Sequence, residues 1–238
     1  MTPLIKKAYK GNRDAMTELY RSNKQRVFYV CGLLLCDPKA ADHACVHVFK
    51  NAWEYLLDGK IETEQEFTDF VVRKAVYYCK NRLTKSNNKA FRIPTNKNFG
   101  VMQYETNGTA SARSTEERIL AALPPLHRLI YVLRSVGEWS EEEIAELLHT
   151  KPDVVKAALD AEQTNLDRLT YAIKQNPNEH TEISVREFHT LLADGIAACR
   201  IPRAVDTVIA IAIDAIADPI AERAKKRGLG SHGSVLLL

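Results

Sequence analysis

Apolar residues recur at every third or fourth position through most of this chain, the spacing of helices buried along one face. In "TPLIKKAYKGNRDAMTELYRSNKQRVFYVCGLLL", Ala15, Leu19 and Tyr20 form one set. Val27, Val30, Cys31 and Leu34 form another. "DPKAADHACVHVFKNAWEYL" opens with Asp37 and Pro38, a cap and first-turn pair. Its stripe is Ala41, Ala44/Cys45, Val48/Phe49, Ala52/Trp53 and Leu56. A further helix is predicted from about Glu64 to Thr84, with Phe67, Phe70/Val71, Ala75, Tyr78 and Leu83 as its apolar positions.

The periodicity stops at "KSNNKAFRIPTNKNFGVMQYETNGTASARS" (85–114), which is rich in Asn, Ser, Thr and Lys and reads as a flexible inter-domain linker. It resumes in "STEERILAALPPLHRLIYVLRSVGEWSEEEIAELLHTKPDVVKAALDAEQTNLDRLTYAIK". Ser114 with Glu117 and Ser140 with Glu143 have capping-box spacing. Leu126, Leu129/Ile130 and Leu133 predict a short helix, and Ile144, Leu147 and Leu148 a second. After the turn "HTKPD", one long helix is predicted with Val155, Leu159, Leu166, Leu169 and Ile173 on one face. A capped helix, a tight turn and a longer helix form the outline of a helix-turn-helix. Two more helices are predicted at 184–199 and 202–227. The second has an apolar face of Val205, Val208/Ile209, Ile213, Ile216 and Ile220, too large to stand exposed.

The chain thus reads as all-α. A helical domain at 1–84 and a helix-turn-helix domain at 115–175 are joined by the linker 85–114, and a C-terminal helical extension covers 176–238. Charge sharpens this division. The overall balance is only +3, but the four segments in chain order carry +4, +4, −4 and −1. Positive charge therefore lies in the N-terminal half. The five Cys are odd in number and lack a CxxC, as expected for reduced thiols in a cytoplasmic protein. "VDTVIAIAIDAIADPIA" (205–221) is short for a membrane span and interrupted by Asp and Pro, so no transmembrane segment is expected.

Candidate chemistry centres on "VVRKAVYYCKNRLTK" (71–85). Arg73, Lys74, Lys80, Arg82 and Lys85 interleave with Tyr77, Tyr78 and Asn81. Cations meet phosphates and aromatic rings stack on unpaired bases, so this face suits single-stranded nucleic acid; a solvated basic face over core tyrosines is the alternative. His43 and His47 share a helix face at i and i+4 while Cys45 points elsewhere, and no metal site is expected from them. No Gly-rich phosphate loop, paired-carboxylate motif or nucleophile elbow occurs, so neither catalytic residues nor a cofactor are expected.

These blocks together resemble the bacterial RNA polymerase sigma factors of the extracytoplasmic-function type, in the sigma-70 family. The likeness to region two rests on Gly11, Ala15, Leu19, Tyr20, Asp37, Phe49, Ala52 and Trp53. The likeness to region four rests on "LAALPPLHRLIYVLRSVGEWSEEEIAELLHTKPDVVKAAL". The resemblance covers about residues 1–175. It implies a non-enzymatic factor that directs core RNA polymerase to promoters. Region two would bind the polymerase through Asp42, His43, Val46, His47 and Lys50, and the −10 element through the 71–85 face. Region four would bind the −35 element through Arg128, Lys151, Asp153, Val154 and Lys156. Core RNA polymerase, promoter DNA and an anti-sigma factor are the implied partners. The extension docks on the sigma-like domains or recruits a partner.

The chain also departs from that family. Val46 and His47 stand where Gln-Glu is usual. Ala158, Ala161 and Gln163 stand where the reading helix usually carries Arg, and Asp160 and Glu162 add negative charge beside them. Lost cations and added carboxylates both weaken a grip on phosphates. The second reading is therefore a sigma-like interaction module with weak or no DNA binding, acting on regulators such as an anti-sigma factor.

Overall fold

The computed structural model describes residues 1–86, 119–120, 122–137, 139–173 and 183–230. The linker 85–114, beyond its first two residues, and the Ser114–Glu117 capping pair lie outside these. Ten helices are formed among the described residues, with no strand. They are α1 (Pro3–Tyr9), α2 (Arg13–Leu35), α3 (Pro38–Leu57), α4 (Glu64–Ser86), α5 (Pro125–Gly137), α6 (Glu141–Leu148), α7 (Pro152–Asp160), α8 (Glu162–Ile173), α9 (Val185–Ala198) and α10 (Arg203–Gly230).

The start signals act as the sequence predicts. Asp37 accepts from the backbone N–H of Ala40, and Pro38 occupies the first turn of α3. Ser140 and Glu143 close a capping box on α6; Ser184 and Glu187, a pair the sequence reading did not single out, close another on α9. The N-terminal run forms two helices. Gly11 adopts a left-handed φ of 77°, and Asn12 then caps α2 through the N–H of Ala15.

Helices α2, α3 and α4 pack mutually, with α1 against α2 and α3. Their predicted stripes form the core: Leu19, Val27, Leu34, Phe49, Trp53, Phe67, Val71 and Ala75 are all buried. Trp53 stacks on Phe67 at 5.2 Å, and Tyr20 meets Phe49 edge-on at 4.8 Å. This apolar cluster continues without a break into α5–α8 and the two C-terminal helices. Helix α5 packs on α2. Helix α9 packs on α5, α8 and α2. Helix α10 packs on α2 and α3.

The extension therefore docks on both preceding units. Val205, Ile209, Ile213 and Ala217 are its buried face; Val208, expected inside, is 41% exposed, because it lies off the stripe that meets α2 and α3. None of the described helices is long and apolar enough to cross a membrane.

Candidate nucleic-acid interface

Helix α4 buries Phe67, Val71, Ala75 and Cys79, spaced by four, and this leaves its cations on the two flanks of the stripe. On one flank, Lys74 lies 5.6 Å from the ring of Phe70, which stacks on Tyr55 of α3 at 4.4 Å and 15°. Tyr77 is 49% exposed. This flank is open. On the other, Arg73 spreads over the Trp139 ring at 4.8 Å and pairs with Glu143 of α6 at 3.7 Å. Lys80 donates to the carbonyl of Leu147, the last residue but one of α6, at 2.7 Å. Burial there pulls the Lys80 ammonium below its ordinary pKa. Tyr78 does not join the cations; it turns to α3 and meets the His47 ring at 4.6 Å. Asn81 is half-buried and Arg82 exposed. The Lys85 side chain lies outside the described residues.

On α3, His43, His47 and Lys50 are exposed, while Asp42 and Val46 are half-buried. Desolvation raises the Asp42 carboxyl above the usual carboxylate range. Asn51 donates to the His47 carbonyl at 2.9 Å and meets its ring at 3.3 Å. Cys45 is fully buried on the opposite side of the helix from the two imidazoles.

The helix-turn-helix unit is α6, a tight turn and α7. His149 closes the turn with a left-handed φ of 54°, and Thr150 donates to the Ala145 carbonyl at 2.9 Å. Lys151 then caps α7 in extended conformation, with Pro152 in the first turn. Lys151, Asp153 and Lys156 are exposed and Val154 half-buried, so this helix end presents two cations and one carboxylate to solvent.

Arg128 is placed otherwise than expected. It is 7% exposed, and its guanidinium donates to the carbonyls of Leu34 and Leu123, each at 3.0 Å. It anchors α5 to the end of α2 and does not face outward. Sequence spacing marked its position on α5 but not the α2 carbonyl 94 residues away. Arg134, also on α5, donates to the Trp139 carbonyl and so holds the turn that presents Trp139 to Arg73.

The long helix expected after Pro152 breaks at Ala161, where φ and ψ are −89° and 0°. The break turns Glu162 inward, where it is 2% exposed and receives a hydrogen bond from His189 Nε2 on α9 at 2.9 Å. His189 Nδ1 lies 3.1 Å from Ser135 Oγ, which itself donates to the Tyr131 carbonyl. Both imidazole nitrogens thus lie within hydrogen-bond distance of an oxygen. Gln163 ties α8 to the start of α9, donating to the Ile183 carbonyl at 3.3 Å and accepting from Val185 N–H at 3.0 Å. Ala158 is fully buried, and its carbonyl accepts from the Tyr131 hydroxyl at 3.1 Å. Of the residues that replace the usual Arg, then, one belongs to the core and one staples two helices.

A capped helix, a left-handed turn and a second helix with an exposed start together form a helix-turn-helix unit. Residues 116–159 match the family model described as "Sigma-70, region 4". The chain accordingly carries a module similar to sigma-70 region 4 over these residues. No curated protein and no solved structure matches the chain.

Proposed function

We propose that the protein is a sigma-type initiation factor of the extracytoplasmic-function kind, which directs core RNA polymerase to promoters. The observation that carries this is the region-four match on a helix-turn-helix whose α7 start presents Lys151 and Lys156 to solvent. In this reading α7 meets the −35 element, with Asp153 and Val154 beside the two lysines. The aromatic and basic residues of α4 hold the −10 strand, and Asp42, His43, Val46, His47 and Lys50 of α3 contact the polymerase. The protein makes no bonds itself; polymerase does.

The test is duplex binding by fluorescence anisotropy over a salt series. Each lost phosphate contact flattens the slope of log K against log salt by about 0.9. Lys151→Glu/Lys156→Glu is expected to weaken binding and reduce that slope by about two such contacts. An unchanged slope removes α7 from the DNA.

A second reading, a sigma-like interaction module acting on regulators, is favoured by the inward turn of Arg128 and by the acidic start of α6 (Glu141, Glu142, Glu143). It predicts weak or no duplex binding by the wild-type chain.

A further inference from the structure

We infer that the last turns of α10, together with the end of α1, form a further phosphate-binding face for duplex DNA, separate from α4 and α7. The inference goes beyond the sigma-type reading and rests on it only for the choice of DNA as the polyanion.

The register of α10 brings the two segments together. Asp206 pairs with Lys24 at 3.0 Å, and Asp214 stands 3.4 Å from Arg13. A Cβ on Gly11 would lie 2.8 Å from the Ile220 Cβ. Residue numbers thus rise along α10 as they fall along α2, so the two helices run antiparallel. Gly11, buried and left-handed, lets Ile220 pass at the joint between α1 and α2. Helix α10 then continues to Gly230, about 15 Å farther at 1.5 Å per residue. Those turns carry Arg223, Lys225, Lys226 and Arg227. Beside the joint, Lys6, Lys7 and Lys10 are exposed.

Little in the fold neutralises this charge. Arg13 takes up the carboxylates of Asp214 and Asp218. Arg13 aside, residues 6–14 and 221–227 hold seven cations against two carboxylates, Asp14 and Glu222. Cations gathered so closely repel one another and favour a polyanion that releases its own counterions.

Composition selects the polyanion. Between Ile220 and Leu229 the only apolar side chains are those of Ala221 and Ala224. These turns therefore lack the bulky apolar face with which a helix enters a bilayer. They also carry no aromatic ring to stack on an unpaired base. What is left is contact with phosphates and not with bases, which holds a duplex of any sequence. The helix-turn-helix unit is short of such contacts. Ala158 is buried and Gln163 ties α8 to α9, so two positions where Arg is usual supply no cation.

The test uses the full-length protein and a labelled duplex of scrambled sequence, followed by fluorescence anisotropy over a salt series. Lys225→Gln/Lys226→Gln/Arg227→Gln is expected to weaken binding more than about ten-fold at about 0.1 M salt. It should flatten the slope of log K against log salt by two or three contacts of about 0.9 each. Lys7→Gln/Lys10→Gln is expected to flatten it by about one or two contacts. Lys225→Arg/Lys226→Arg, which keeps the charge, should keep the wild-type slope; a variant that had merely lost its fold would not be rescued in this way. A slope that neither Gln set moves, or that only one moves, overturns the proposal. Lys151→Glu/Lys156→Glu, read in the same assay, then shows whether the α7 contact stands without it. No duplex binding by the wild-type chain overturns the proposal together with the sigma-type reading. Phosphatidylglycerol vesicles form the second arm. If they are bound through these cations while the duplex slope stays unmoved, the face belongs to a bilayer and the proposal falls.

Discussion

His189→Ala isolates the contact that turns Glu162 inward. The Glu162 carboxylate is 2% exposed and bonded to His189 Nε2 at 2.9 Å. A hydrogen bond to a charged group contributes about 1.5–3 kcal/mol, and removing one partner of a buried pair costs about 3–5 kcal/mol. His189 keeps a 22% exposed side chain, so water reaches the vacated side and the lower end applies, about 3 kcal/mol. At about 3 °C per kcal/mol for a chain of this size, the melting temperature falls by about 9 °C. Thermal and urea unfolding followed by circular dichroism measure the loss. Glu162→Gln removes the charge and leaves an amide able to accept from the imidazole. In that background His189→Ala is expected to cost about 1 kcal/mol, a coupling of about 2 kcal/mol in the double-mutant cycle. A loss below about 0.5 kcal/mol for His189→Ala, or strict additivity, would refute the buried-pair account.

Ala158→Arg, the change that restores the family's usual residue, is expected to destabilise the helix-turn-helix unit by more than about 4 kcal/mol, because it forces a cation into a fully buried site against Tyr131; a melting temperature equal to wild type contradicts this. The Glu187 carboxyl is held below its ordinary pKa by the N–H and hydroxyl of Ser184. That stabilisation is present above the ordinary glutamate value and lost as pH falls through the lowered one; Glu187→Gln should abolish this part of the acid dependence in a melting series, and Ser184→Ala, which keeps the main-chain N–H, should only reduce it. Burial pushes the Cys45 thiol up to about 12, and a hydrogen bond with Cys79, together with burial, holds the Cys31 thiol well above its usual value. Iodoacetamide at mildly alkaline pH should label the half-buried Cys36 and Cys199 first and reach Cys31 and Cys45 only on unfolding, as peptide mass mapping would show.

Features set by local chemistry were legible in the sequence. Asp37 and Ser140 cap the helices that follow them because a side-chain oxygen three residues ahead of an N–H needs no distant partner. The apolar stripes of α2, α3 and α4 were legible for the same reason: periodicity is local. What depended on distant partners was not. Glu162 reads as an exposed acid on a reading helix until His189, 27 residues on, is brought beside it. Arg128 reads as a phosphate contact until the Leu34 carbonyl appears below it. Periodicity placed the cations of 71–85 off the core but could not divide them between an open flank and one filled by Trp139 and Glu143. The apolar face of α10 announced a partner, and the partner proved to be α2 and α3 of the same chain.

The central claim, that this is a sigma-type initiation factor, is tested most directly by run-off transcription with core RNA polymerase from the same host and a library of its promoter fragments. The account predicts transcripts from particular fragments that depend on the added protein, and predicts that Lys151→Glu/Lys156→Glu reduces them. Binding to core polymerase with no such transcript, or no binding at all, would contradict it.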